Sequence, residues 1–195
     1  MVDTSGHHIV YGSLRDALTG EELPDTDDER YRQQLIRWLL AEKGYEPGDL
    51  QPRLAIDTEV GGQRVCSRIE LTVVLLGRRM MIIRYGPGSL VTRERPAIAA
   101  ARLLEPAYRI PLAVVTNGRD AELLETLTGK VLATGMERIP DRNALLAMAA
   151  DLVFEPFIGE DRRDREARIL NAFDVEVCCR GAKCALPTGG PEGDT

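Results

Sequence analysis

The 195-residue chain is 44% hydrophobic and 29% charged, which describes a globular protein of one domain, or one domain with an appendage, able to bury a sizeable core. A net charge of -6 argues against a protein that coats nucleic acid through bulk charge, while leaving room for a local basic site. No apolar run approaches a membrane span, "MVDTSGHHIV" lacks the charged and apolar regions of a signal peptide, and four cysteines are too few and too clustered for a disulfide scaffold. The expectation is a cytoplasmic protein.

Residues 1–15 read as an N-terminal extension, in which His7 and His8 have no catalytic partner by motif. The clearest predicted helix is "PDTDDERYRQQLIRWLLAEKGY". Thr26 and Glu29 stand at capping-box spacing, Asp27 and Asp28 follow in the first turn, and Gly44 supplies the stop. Tyr31, Leu35, Trp38 and Leu39 share one face. "LAIDTEV" alternates as a strand, and Gly61 and Gly62 turn it into "RVCSRIELTVVLL", whose polar face carries Cys66, Arg68, Glu70 and Thr72. "GRR" turns again into "MMIIRY", apolar on both faces and so a central strand.

The Gly-Pro-Gly loop follows, and Pro96 suits the first turn of a helix through "AIAAARLLEPAY" that Pro106 ends. "PLAVVTNG" is a buried strand running into a turn, with Asn117 in the turn. "DAELLETLTGKVL" has two readings: two short strands broken at Thr-Gly-Lys, or a helix over "AELLETL". "PDRNALLAMAADLV" and "GEDRRDREARILNAF" predict two more helices, and residues 181–195 a loose tail. The order is helix, three meandering strands, helix, strand, then additions. A doubly buried third strand needs helices on both faces, which makes the fold α/β (α+β) with a mixed sheet.

Arg84 closes the most apolar strand, at "MMIIRYGPGSLVTRERP", and two readings of it compete. In one, Gly86 and Gly88 let backbone N–H groups approach an anion, to which Arg84, Ser89, Thr92, Arg93 and Arg95 also donate. Residues 78–109 hold seven arginines and two acids, a local charge of +5 against -11 for the rest. In the other, the loop is a tight turn and Arg84 is paired with Glu70 or Glu29. Cys178, Cys179 and Cys184 are spaced CCx₄C rather than as paired CxxC, so idle thiols are favoured over zinc.

The order of elements, with "DALTGEELPDTDDERYRQQLIRWLLAEKGY", the hairpin into "RIELTVVL", and "PLAVVTNGRDAELLETLTGKVL", resembles the N-terminal nuclease domain of type I restriction enzyme R subunits in a short stand-alone form. The tail "REARILNAFDVEVCC" is similar to small stand-alone proteins of this type. The resemblance implies a restriction-endonuclease-like αβββαβ core of the PD-(D/E)xK superfamily at 16–133, a helical extension at 134–180 and the tail beyond.

The resemblance also implies an acid late in the second strand at Glu70, a supporting acid at Glu29, and Glu-x-Lys at the end of the third strand. Two such carboxylates hold Mg²⁺ and the lysine stabilises developing charge. Here the third strand reads Arg84-Tyr85-Gly86, and the Gln and Tyr of the following helix fall at Ala100 and Leu104. A guanidinium cannot ligate a metal. The expectation is a degenerate domain with no catalytic residue, metal or cofactor, which binds nucleic acid or a phosphate-bearing, nucleotide-like anion without efficient cleavage. One alternative is an active Mg²⁺ endonuclease with an acid relocated to Asp57 or Glu59. The other is a protein-interaction module for a restriction or defence partner.

Overall fold

The computed structural model describes residues 9–60, 63–86, 88–157 and 159–177. His7, His8, Cys178, Cys179, Cys184 and the predicted tail lie outside the described residues. The expected core order is observed: α1 (Asp27–Glu42), β3 (Leu50–Val60), β4 (Gln63–Leu75), β5 (Arg78–Tyr85), α2 (Val91–Leu103) and β6 (Leu112–Thr116). Ahead of it stands a small hairpin of β1 (Ser13–Arg15) and β2 (Glu22–Pro24), which the sequence pattern does not announce. Behind it come β7 (Ala121–Glu125), β8 (Val131–Thr134), α3 (Arg142–Met148) and α4 (Glu160–Val177).

The six long-sheet strands lie in chain order from β3 to β8, and only β5 and β6 run parallel. That pair requires the crossover that α2 provides. "DAELLETLTGKVL" resolves into strands, because pairing of β7 with β6 outweighs the helical preference of "AELLE".

Alternation along β5 divides the core. Met81 and Ile83 face a cluster with Leu35, Ile36 and Leu39 of α1, while Ile82 faces a cluster with Ile98, Ala99 and Ala101 of α2. Small residues at 97 and 99–101, all fully buried, let α2 lie close to the sheet. Leu145 of α3 joins the first cluster and Leu170 of α4 the second, so the result is a helix–sheet–helix layering. Ala100 and Leu104 are apolar members of this second layer.

Two local features differ from expectation. The helix after the glycine loop begins at Val91, with Arg93 N–H donating to the Leu90 carbonyl (2.7 Å), so Pro96 stands inside it rather than in its first turn. β3 is also irregular: Arg53 has φ 55, and the pairing of β3 with β4 skips Arg53 and Glu70 between Pro52–Leu71 and Leu54–Ile69. Leu50 and Leu71 on one side of this irregularity belong to the α1 cluster, whereas Ile56 and Ile69 on the other belong to the α2 cluster. The hairpin thus turns its apolar side over at Glu70.

Candidate functional site

The ends of α1, β5, β6 and α2 come together, and each is set there for a local reason. Thr26 caps α1 by accepting from the Glu29 N–H (3.2 Å), and Asp27, Asp28 and Glu29 occupy the turn where the helix dipole favours anions. Gly44, with φ 67, ends the helix, and the N–H groups of Lys43 and Tyr45 return to the Leu39 carbonyl. Glu29 is buried and already engaged: it pairs with Arg32, accepts from Gln33 Nε2 (2.9 Å) and lies 3.9 Å from Arg53.

Glu70 sits at the irregularity of β4, largely buried, with Arg84 Nε 3.7 Å from its carboxylate. Burial pushes the Glu70 carboxyl up, and the Arg84 guanidinium acts against that, with Arg32 adding a smaller effect in the same direction. Arg32, paired with Glu29, therefore links the two acids. The pairing of Arg84 with Glu70 is realised, with 12% of the Arg84 side chain exposed.

Gly86 has a purpose that sequence alone does not reveal. A Cβ built there would overlap the Arg93 guanidinium, so Arg93 of α2 fills the space that a side chain at 86 would enter. Burial and then the nearby Arg84 charge push the Arg93 guanidinium below its ordinary value, with Glu70 acting in opposition. Two guanidiniums thus stand at the end of β5 beside the largely buried Glu70 carboxylate, and Asp28 at the start of α1 also acts on Arg93.

Of the other loop residues, Gly88 (φ 93) presents its carbonyl to Asn117 Nδ2 (3.0 Å), and the Ser89 carbonyl accepts from Thr92 Oγ1 (3.2 Å). Gly88, Ser89 and Thr92 are exposed. Arg95 turns away, donating to Glu166 of α4 (2.8 Å), so Arg84, Gly86 and Arg93 converge while Arg95 belongs to another cluster. The basic segment is also partly neutralised, since Arg79 pairs with Glu105 and Arg102 with Glu166. Asp57 and Glu59 are exposed and stand opposite Cys66 and Arg64, toward the hairpin turn and away from Glu70.

Sequence reasoning missed the aromatic wall of the cleft. Tyr31 stacks on Tyr85 with centroids 3.9 Å apart, and its hydroxyl meets Thr116 Oγ1 at 3.1 Å. The signal was Tyr31 on the apolar face of its helix, but the partner lies on a strand distant in sequence.

Replacing Gly86 with alanine is expected to displace Arg93 while costing no more than about 1 kcal/mol, because the group that must move is the far end of a flexible side chain. A denaturant midpoint together with arginine side-chain NMR signals would check this. A large stability loss with Arg93 unmoved would show that the backbone itself rejects a Cβ there.

Chemically, this corner offers two guanidiniums, the acids Glu70 and Asp28, and aromatic surface. Among the described residues no three His, Cys, Asp or Glu side chains are grouped so as to hold a metal, and Cys66 is exposed and free. A guanidinium beside Glu70 is a poor environment for Mg²⁺, which needs carboxylate and water oxygens around it. Nor is any helix of the described residues long and apolar enough to cross a membrane. A family model described as the type I restriction enzyme R protein N terminus matches residues 27–140, from the start of α1 to just past β8. No curated protein and no solved structure matches the chain.

Proposed function

We propose that this chain, which belongs to the family of type I restriction enzyme R protein N-terminal domains, uses the cleft between α1, β5 and α2 to bind phosphate groups of nucleic acid or of a nucleotide-like anion, without efficient cleavage. The observation that carries this reading is the pair of guanidiniums at the end of β5. Arg84 stands at the position of an expected metal-binding acid, and Arg93 fills the space above Gly86, at the position of the expected lysine. Positive charge is retained where developing charge would be stabilised, while the second carboxylate is absent from that strand end. Arg84 and Arg93 supply charged donors, the exposed Gly88, Ser89 and Thr92 line the entrance, and Tyr31 and Tyr85 form a wall on which a base can stack.

The same reading takes 16–133 as the nuclease-like core, with 134–180 as added helices. The last sheet strand ends at Thr134, and the helices that follow pack on the layers already formed.

The test is a nuclease and binding assay on the full chain. With Mg²⁺ or Mn²⁺ present, DNA and RNA are expected to stay intact, while a short oligonucleotide binds with an affinity that falls as salt rises. Metal-dependent cutting that disappears in Glu70→Ala would overturn the proposal in favour of an active endonuclease with a relocated acid. Failure to bind any oligonucleotide or nucleotide at low salt, with a restriction or defence protein co-purifying, would overturn it in favour of an interaction module.

A further inference from the structure

A cavity of about 420 Å³ opens between α2, α4 and the segment around 155–157. Arg95, Arg102, Arg109, Arg162 and Arg165 line it, against only two acids, Glu155 and Glu166, in a chain whose overall charge is -6. Most of this charge has an internal use. Arg102 donates to Glu166 (2.9 Å) and twice to the Thr126 carbonyl (3.0 and 2.7 Å), and Arg95 donates to the same Glu166 oxygen (2.8 Å).

Arg109 is different. It is only 6% exposed, and its Nε and Nη2 are buried with no hydrogen-bond partner among the described residues. Those two atoms form one edge of the guanidinium fork, the edge that grips two oxygens of a carboxylate or phosphate side by side. Leaving such donors buried and unmade is costly, so the position calls for an oxyanion. Glu166, 4% exposed, presents the converse: Oε1 serves both Arg95 and Arg102, while Oε2 is buried without a donor. Both residues line the cavity, so its wall wants an anion at one point and a hydrogen-bond donor at another, each covered until side chains of the wall move.

We infer that this cavity is a second ligand site, separate from the cleft, for a small molecule that carries both a phosphate monoester and hydroxyl groups, of the nucleoside monophosphate or sugar phosphate class. The phosphate lies on the Nε–Nη2 edge of Arg109, with the exposed Arg162 and Arg165 of α4 swinging to admit it and then closing on its remaining oxygens. A hydroxyl of the ligand donates to Glu166 Oε2. The volume is within the range of small-ligand pockets.

Calorimetry and thermal shift on the full chain at low salt, with adenosine monophosphate, ribose 5-phosphate, inorganic phosphate and adenosine as probes, test this. The two phosphate esters are expected to bind saturably and raise the melting temperature, inorganic phosphate to bind at least tenfold more weakly, and adenosine not to bind. A base contribution shows as tighter binding of the nucleotide than of ribose 5-phosphate, and equal binding identifies the sugar phosphate as the recognised unit. Arg109→Lys keeps the charge but loses the fork, and Arg165→Ala changes only an exposed side chain; each is expected to weaken the esters at least tenfold, whereas Arg37→Ala, an exposed arginine of α1 outside both sites, leaves them unchanged. The proposal fails if neither ester binds, if Arg165→Ala and a folded Arg109→Lys both bind as the parent does, or if Arg37→Ala weakens the esters as much as Arg165→Ala, which would make the effect one of overall charge. Inorganic phosphate binding as tightly as the esters would overturn the part given to Glu166.

Discussion

Asp16→Ala is expected to cost about 3–5 kcal/mol, the range for breaking a buried charged pair. Asp16 is 2% exposed and ties three elements together. One carboxylate oxygen accepts from the N–H groups of Leu18 (2.8 Å) and Thr19 (2.9 Å) in the hairpin turn. The other accepts from Gln33 Nε2 of α1 (3.1 Å) and Arg53 Nη1 of β3 (2.6 Å). Its removal leaves Arg53, in its left-handed backbone position, with the weaker contacts to Glu21 (3.2 Å) and Glu29 (3.9 Å).

Burial pushes the Asp16 carboxyl up, but the Arg53 hydrogen bond and the Thr19 and Leu18 N–H groups outweigh it and hold the group at about 2, below its ordinary 3.8. A depressed carboxyl stabilises the fold above its unfolded value, and that contribution is lost as pH falls from near 4 through about 2. It is worth roughly 2 kcal/mol at neutral pH. Denaturant titrations should show the deficit of the variant shrinking between pH 4 and pH 2. A deficit independent of pH would mean that the packing of Asp16, rather than its charge, carries the effect.

Arg84→Ala is expected to weaken binding of a short oligonucleotide by about 1–3 kcal/mol, the range for hydrogen bonds to charged groups, with the loss shrinking as salt rises. It also removes the cation nearest a largely buried carboxylate, a destabilisation of about 3–5 kcal/mol. Glu70 is already pushed up by burial, and without Arg84 it rises further. A carboxyl raised in the folded state costs nothing when both states are protonated, and its cost appears as pH climbs past the unfolded value of 4.5. The stability deficit of the variant should therefore be larger at pH 7 than at pH 4. Combining Arg84→Met with Glu70→Leu should recover stability, because an apolar pair replaces an ion pair, but should not recover binding. Binding unchanged by Arg84→Ala while stability falls would make Arg84 a strut alone.

The parts of the fold written in local pattern were legible in the sequence. Thr26 and Gly44 mark α1 at both ends, alternation marks β3 and β4, and "MMII" marks the central strand. What was not legible depends on groups far apart in the chain. Asp16 has no motif, since its partners are a turn, a helix side chain and a left-handed arginine on a strand. Arg95 reads as part of the glycine loop, yet α4 brings Glu166 to it across 71 residues. The cavity at Arg109 exists only once α4 is laid on α2. The start of α2 at Val91 was hidden because Pro96 carries the strongest local helix-start signal, while the preceding turn is held by tertiary packing of Leu90.

The overlap between a Cβ at position 86 and the Arg93 guanidinium makes the two positions epistatic. A lysine at 86 in the present background would enter space already filled and add a third cation beside Arg84 and Arg93, with Glu70 as the adjacent acid. A lysine at 86 therefore requires Arg93 to move aside, and it meets two cations unless Arg84 is exchanged for an acid. The residues that position 86 accepts and those that position 93 accepts are thus set jointly, not one at a time.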